Sequence, residues 1–264
     1  MEPEPINVRP QLNDEHWALI SDLFRDPPAD PRGGRPRVDA RRCLEGILWV
    51  LRSGSRWKDL PRGFPSYVTC WRRFMHWSAE GVWDKAWRRL VKHLDRIGAV
   101  DWGGELRRRH VCLSKKGGDR VGPTKRGKGT KLMVLVDGTG LPLAIDVDSA
   151  SPAEVRLIEP LIDEAVTPEV PGRLIYDRAA DSDPLRQRLA NRGIELICPH
   201  RRGRIRPRIQ DGRPLRRFRR RWIVERTIGW LQSFRRLVTR YEFYSFLFHG
   251  FAKLACLMIV LRRF

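Results

Sequence analysis

Cysteine is scarce and scattered in this sequence. The five thiols, Cys43, Cys70, Cys112, Cys198 and Cys256, are odd in number and form no C-x-x-C pair. A disulfide framework is therefore excluded, and a reducing cytoplasm is the expected compartment. The six histidines show no H-x3-H spacing beside cysteine, which sets zinc aside. No secretory signal or lipidation motif opens the chain. The longest apolar stretch, Phe243 to Leu261, is broken by His249 and Lys253 and flanked by arginine. It is expected to be a buried helix closing a sheet, with no membrane partner. Acidic residues are also in deficit, 31 Asp and Glu against 52 Lys and Arg, for a formal charge of +21. The excess runs along the whole chain, so the folded body itself is basic and nucleic acid is its default partner.

The most informative stretch is RRRWIVERTIGWLQSFRRLVTR, Arg219 to Arg240. Val224, Ile228, Leu231, Phe234 and Val238 recur at the spacing of one buried helical stripe. Arg221 and Glu225 share another face, among Arg226, Arg235, Arg236 and Arg240. Two readings follow: an ordinary ion pair across one helical turn, or a carboxylate held for a metal ion with arginines to receive phosphates.

Taken in order, the chain opens with a short helix over Leu12 to Phe24, with Asn13 or Asp14 at its start, and then turns rich in Pro, Gly and Arg. The segment Gly34-Arg35-Pro36-Arg37 reads as a basic linker or as an arm for a narrow minor groove. Asp39 caps a helix through Leu51 stopped by Ser53-Gly54; Ser66 starts a second through Trp77, and a third runs from Val82 to Ile97. Trp49, Trp57, Trp71, Trp77, Trp83 and Trp87 supply the core of this unit, leaving Arg72, Arg73, Arg88, Arg89 and Lys92 outside. The unit, residues 1–97, is expected to be a helix-turn-helix-like DNA-binding domain.

Past residue 98 the period changes. Strands are expected over Arg107–Leu113, Leu132–Val136, Leu141–Val147, Arg173–Tyr176 and Ile194–Cys198, and helices over Pro152–Ala165 and Asp183–Arg192. Asp137-Gly-Thr-Gly140 turns one hairpin. KKGGDRVGPTKRGKGTK, 115–131, approaches a phosphate-binding P-loop, but Gly129 stands where Ser or Thr would ligate magnesium and a strand follows. It reads instead as a mobile basic loop touching DNA backbone through Lys115, Lys116, Lys125, Arg126, Lys128 and Lys131. Residues 98–264 are thus an α/β domain, a mixed sheet flanked by helices with a basic insertion around 200–218.

Asp177 follows a buried strand at its carboxyl end, where open sheets place their ligands. A cap residue is the plain reading. Paired with Glu225, it could hold Mg2+ or Mn2+ against phosphate oxygens.

The motifs YDRAADSDPLR (176–186) and RRWIVERTIGWLQSFRRLVTRY (220–241), supported by 115–131 and LEGILWVLRSGSRWKDLP (44–61), resemble the insertion-sequence DDE transposases of the insertion-sequence five-like group. The resemblance covers nearly the whole chain. It implies a ribonuclease-H-like catalytic domain and metal-dependent cleavage and transfer of transposon-end DNA. It also implies terminal inverted repeats and target DNA as partners, a homodimer or larger assembly on DNA, and a nucleoid-associated place in a bacterial cytoplasm. Asp177 and Glu225 would be the second and third metal-binding carboxylates. Arg221 would be the arginine of the signature around the glutamate, whose tyrosine and lysine fall on Phe218 and Gln232.

One position departs from the pattern. The strand that should carry the first aspartate reads ELRRRHVCLS, and the matching residue is Arg108. Asp101 precedes that strand, and Asp137 ends an antiparallel one that carries it to the far edge of the sheet. A guanidinium at 108 would compete with metal for the remaining acids. Two functions are therefore expected to compete: an impaired transposase, and a non-catalytic DNA-binding protein acting as competitor or repressor at element ends. Asp177, Glu225 and Arg221 are the expected catalytic residues, and Arg235 and Arg236 join the loop lysines as DNA contacts.

Overall fold

The computed structural model describes residues 12–24, 37–102, 105–169, 171–205, 207, 209–210 and 212–264. The candidate arm at 34–36 lies outside them. Helix α1 (Asp14–Ala18) is capped by Asn13, whose side chain accepts from the His16 amide, and a 3-10 turn covers Ser21–Phe24. α2 (Ala40–Ser53) is capped by Asp39 and ended by Gly54 at φ 71°, a left-handed conformation that glycine adopts without a Cβ clash. α3 (Tyr67–Ala79) is capped by Ser66, and α4 (Val82–Arg96) follows Gly81. Each side-chain cap satisfies an amide that the first helical turn leaves free, contributing about 1 kcal/mol. Trp77, Trp83 and Trp87 are buried here; Trp49 and Trp57 are half-buried. Trp71 stands in solvent, contrary to expectation, because α3 turns that side outward.

The sheet is built from β1 (Glu105–Ser114), β2 (Gly122–Thr124), β3 (Gly127–Val136), β4 (Pro142–Ser149), β5 (Arg173–Ile175), β6 (Glu195–Ile197) and β7 (Thr239–Arg240). Its order is β2-β3-β1-β5-β6, with β4 also on β3 and β7 also on β1. β3 runs antiparallel to β1, β2 and β4, whereas β5, β6 and β7 extend the sheet in parallel pairs. The segment expected to be a mobile loop instead forms the β2–β3 hairpin, with Pro123 opposite Lys128. Helices α5 (Ile158–Asp163), α6 (Asp183–Asn191), α7 (Gly212–Leu215), α8 (Trp222–Ser233) and α9 (Ser245–Leu261) surround the sheet.

The long helix expected over 219–240 is shorter than its apolar period. A 3-10 stretch, Arg216–Arg221, precedes α8, and the chain extends at Phe234. Val224, Ile228, Leu231 and Phe234 are buried, but Val238 is exposed. The cause is tertiary: β7 pairs with the end of β1, Leu113 opposite Thr239, which draws the backbone out of the helix.

α9 joins the two regions. Phe251 stacks on Phe74 of α3 at 4.2 Å between ring centroids, a contact contributing about 1 kcal/mol beyond its burial. The polar residues that interrupt its apolar run are both used: His249 Nε2 lies 2.8 Å from the Ile145 carbonyl, and Lys253 Nζ 2.8 Å from Asp84. Trp87 Nε1 donates to the Pro142 carbonyl, tying α4 to β4. The helical region and the sheet therefore share one core. No helix among the described residues is long and apolar enough to cross a membrane. All five cysteines are buried, and none is in a disulfide.

Candidate active site

Strand register fixes where the acids lie. Leu106 pairs in parallel with Ile175 and antiparallel with Val136. Two residues beyond Ile175 is Asp177, and two beyond Leu106 in the same direction is the backbone position of Arg108. Asp177 is thus level with residue 108, while Asp137, one step past Val136, runs off the opposite end of the sheet.

Asp137 is fully buried and committed. It accepts from the amides of Asp101 (2.9 Å), Thr139 (2.9 Å) and Leu141 (2.7 Å), and from the Thr139 hydroxyl. This carboxylate closes the β3–β4 turn. Asp101 packs at the same turn, 3.8 Å from Arg220. Neither acid stands in for residue 108.

Asp177 caps the 3-10 turn Arg178–Ala180, its Oδ1 accepting from the Ala179 amide at 2.7 Å. It lines a cleft of about 390 Å³ together with Arg178, Ala179, Pro199, Phe218 and Arg221. Across the cleft Arg221 bonds Glu225 on the next turn of α8, Nε to Oε1 3.0 Å, and its guanidinium lies 5.1 Å over the Phe218 ring. Phe218 thus keeps a ring under the arginine while lacking a hydroxyl. Gln232, two turns after Glu225 on the same helical face, lies 3.2 Å from the His110 ring of β1. That contact ties the end of α8 to the middle of β1. Asp177 and Arg221 line one cleft, and Arg221 bonds Glu225, which is not among the residues lining it.

The donor set does not fit a two-metal centre. Among the described residues no three His, Cys, Asp or Glu side chains converge as a metal site. Asp177 and Glu225 would supply two carboxylates where the sequence pattern needs three, and the one carboxylate on α8 is already bonded to a guanidinium.

The basic residues divide. Lys115, Lys116, Lys125, Arg126, Lys128 and Arg235 present their charge to solvent. Two of the expected DNA contacts do not. Lys131 is 3% exposed and its ammonium donates to the Pro152 carbonyl. Arg236 is 5% exposed, bonded to Glu242 at 2.6 Å and to the Ser55 carbonyl at 2.9 Å. Both are spent inside the fold, because burying a cation requires that its donors be matched.

One buried acid near the cleft carried no expectation from the sequence: Asp181, within YDRAADSDPLR. It is buried and bonds Arg186 (3.0 Å), His200 (3.0 Å) and the Arg201 amide (2.8 Å). Burial pushes its carboxyl up, but those donors outweigh it and bring the pKa down to about 2. Asp181 fastens the start of the basic 200–218 segment beside the Asp177 loop. The acid-rich repetition Asp177, Asp181, Asp183 was the available signal.

A family model described as "Transposase DDE domain" matches residues 94–260, and one described as "Putative transposase of IS4/5 family" matches residues 12–87. A Burkholderia cepacia protein named "Putative transposase for insertion sequence element IS402" is 35% identical over 167 residues, covering 58% of this chain and 74% of that one. The "Insertion element IS402 uncharacterized 16.2 kDa protein" of the same organism is 44% identical over 101 residues, 36% of this chain and 67% of that one. No solved structure matches the chain.

Proposed function

Because this chain belongs to the insertion-sequence transposases that carry a DDE domain, we propose that it binds the terminal inverted repeats of its element and that its metal-dependent strand cleavage and transfer is curtailed. The observation that carries this reading is the level placement of residue 108 with Asp177, with arginine standing where the remaining acid belongs. The sheet is read as a ribonuclease-H-like scaffold, and residues 1–97 as the region that docks on duplex DNA.

Binding rests on the chain's own cations. Lys125, Arg126 and Lys128 sit at the exposed turn of the β2–β3 hairpin, where phosphates can reach all three. Arg221 holds Glu225 and lines the same cleft as Asp177, so the cleft retains a cation able to receive a phosphate oxygen. Mg2+ or Mn2+ would find only Asp177 and Glu225 as anionic ligands, and no catalytic step is assigned through it.

The deciding experiment is binding and cleavage of a terminal-repeat duplex by the full chain, with and without divalent ions. Expected are binding that needs no metal and survives Glu225→Gln, and little nicking. Robust metal-dependent nicking overturns the impairment, and equal affinity for unrelated duplex overturns end recognition.

A further inference from the structure

The turn between β7 and α9, with the first turn of α9, carries rings that the cleft does not use. Phe243, Tyr244 and Phe246 are 55%, 56% and 41% exposed. They form a contiguous series, Phe243 edge-on to Tyr244 at 5.4 Å between centroids, and Tyr244 beside Phe246 at 6.0 Å. Solvent-facing turns ordinarily use Gly, Asn, Asp or Ser, so three adjoining exposed rings mark a contact surface.

The turn is held rigidly, and what holds it is the KKGGDR segment. Arg240, fully buried, donates to the carbonyls of Glu242 (2.9 Å) and Phe243 (2.9 Å), to the Thr130 hydroxyl (2.9 Å) and to the Arg120 carbonyl (3.3 Å). The Lys115 amide donates to the Arg240 carbonyl at 3.0 Å. Gly118, at φ 121°, lies so close to the Phe243 carbonyl that a Cβ would collide with it. Asp119 accepts from the Ser245 amide at 2.8 Å, at the start of α9. The lysine-bearing segment and the ring-bearing turn are therefore one preorganised surface, with Lys115 and Lys116 exposed on it.

Cations outnumber acids at this surface. Glu242 is buried and bonded to Arg236, and Asp119, though exposed, is bonded to Ser245 and Arg240. Exposed rings beside exposed lysines match nucleic acid; a protein interface core depletes lysine. Duplex DNA hides its base faces in the stack, so only unpaired nucleotides can use these rings.

We propose that Phe243, Tyr244 and Phe246, with Lys115 and Lys116, form a subsite for single-stranded DNA, the bases stacking on the rings and the phosphates running along the lysines. This deepens the DNA-binding reading above and rests on it.

The test is fluorescence anisotropy of the full chain with a labelled oligothymidine and, separately, with terminal-repeat duplex. Because the rings are exposed, Phe243→Ala/Tyr244→Ala is expected to melt like the parent. Its affinity for the oligothymidine should fall by about 10-fold or more. Duplex affinity should change less than about two-fold, and Tyr244→Trp should retain single-strand binding. An unchanged single-strand affinity overturns the subsite, as does a parallel loss on both DNAs. A parent that sediments as a dimer and a double variant that sediments as a monomer would make the surface an interface between copies instead, also overturning it. Failure of the parent to bind terminal-repeat duplex, with the single-strand result intact, removes the end-binding reading and leaves the subsite standing.

Discussion

Arg221 Nε stands 3.0 Å from Glu225 Oε1, and the same guanidinium shares a cleft with Asp177. Both partners of the ion pair are more than a third exposed, so it contributes only about 0.3–0.5 kcal/mol to stability. Its consequence is positional: the carboxylate that a metal would need already has a cation bonded to it. The two readings of the basic helix, ion pair and ligand, describe the same atoms.

Replacing the arginine level with Asp177 tests that consequence. Arg108→Asp adds a third acid at the register position that needs one, and it is expected to raise Mn2+-dependent nicking of a terminal-repeat duplex by at least about 100-fold over the parent. That gain corresponds to about 2.7 kcal/mol of barrier. Arg108→Asp/Glu225→Gln should return to the parental level. A gel showing equal nicking by parent and Arg108→Asp would remove residue 108 from the account.

The hairpin cations make a separate prediction. Every lysine–phosphate ion pair in a DNA complex adds about 0.9 to the steepness with which log K falls against log salt. Lys125→Ala/Lys128→Ala should therefore reduce that slope by about 1–2 and weaken binding to all duplex sequences alike. A weakening confined to the terminal repeat would mean that these lysines read bases.

Much of this arrangement was legible from local chemistry. Asn13, Asp39 and Ser66 cap their helices as short polar side chains before apolar periods do, and the apolar run ending at Asp177 announced a strand opening onto a cleft. What local pattern could not convey was non-local pairing. The apolar period through Val238 continues past Phe234, yet β7 leaves the helix to pair with β1. Arg236, Arg240 and Lys131 looked like surface cations because residue type predicts exposure for most of them. Each is buried here because partners from elsewhere in the chain, the Ser55 and Pro152 carbonyls and the Thr130 hydroxyl, meet its donors, alongside the nearby Glu242 and Phe243.

Acid sensitivity should trace to Asp181. Its carboxyl titrates near 2 in the fold and near 3.8 when unfolded, so its stabilisation is fully present above about pH 4 and is lost as pH falls toward 2. The shift corresponds to about 2 kcal/mol. Asp181→Asn leaves Arg186 and His200 buried beside a neutral amide and is expected to cost about 3–5 kcal/mol at neutral pH. Urea melts at pH 7 and pH 3 should show the variant's deficit shrinking at the lower pH; a deficit independent of pH would assign the loss to packing.

His249 carries the opposite kind of pH dependence, from inside α9. Burial, reinforced by Lys253, lowers its pKa, while the Ile145 carbonyl, Asp146 and Asp84 pull the other way without prevailing. The ring is therefore neutral in the fold, and its Nε2–H donates to Ile145. An unfolded histidine begins to take up a proton near pH 6.5, and the folded one does so only at lower pH. Stability consequently falls as pH drops below about 6.5, with no loss from this group above it. His249→Gln keeps a donor for the Ile145 carbonyl and removes the titration. Between pH 7 and pH 5.5 the parent should lose more of its melting temperature than the variant does. If both lose the same, the proton is taken up elsewhere and the α9–β4 contact does not sense pH.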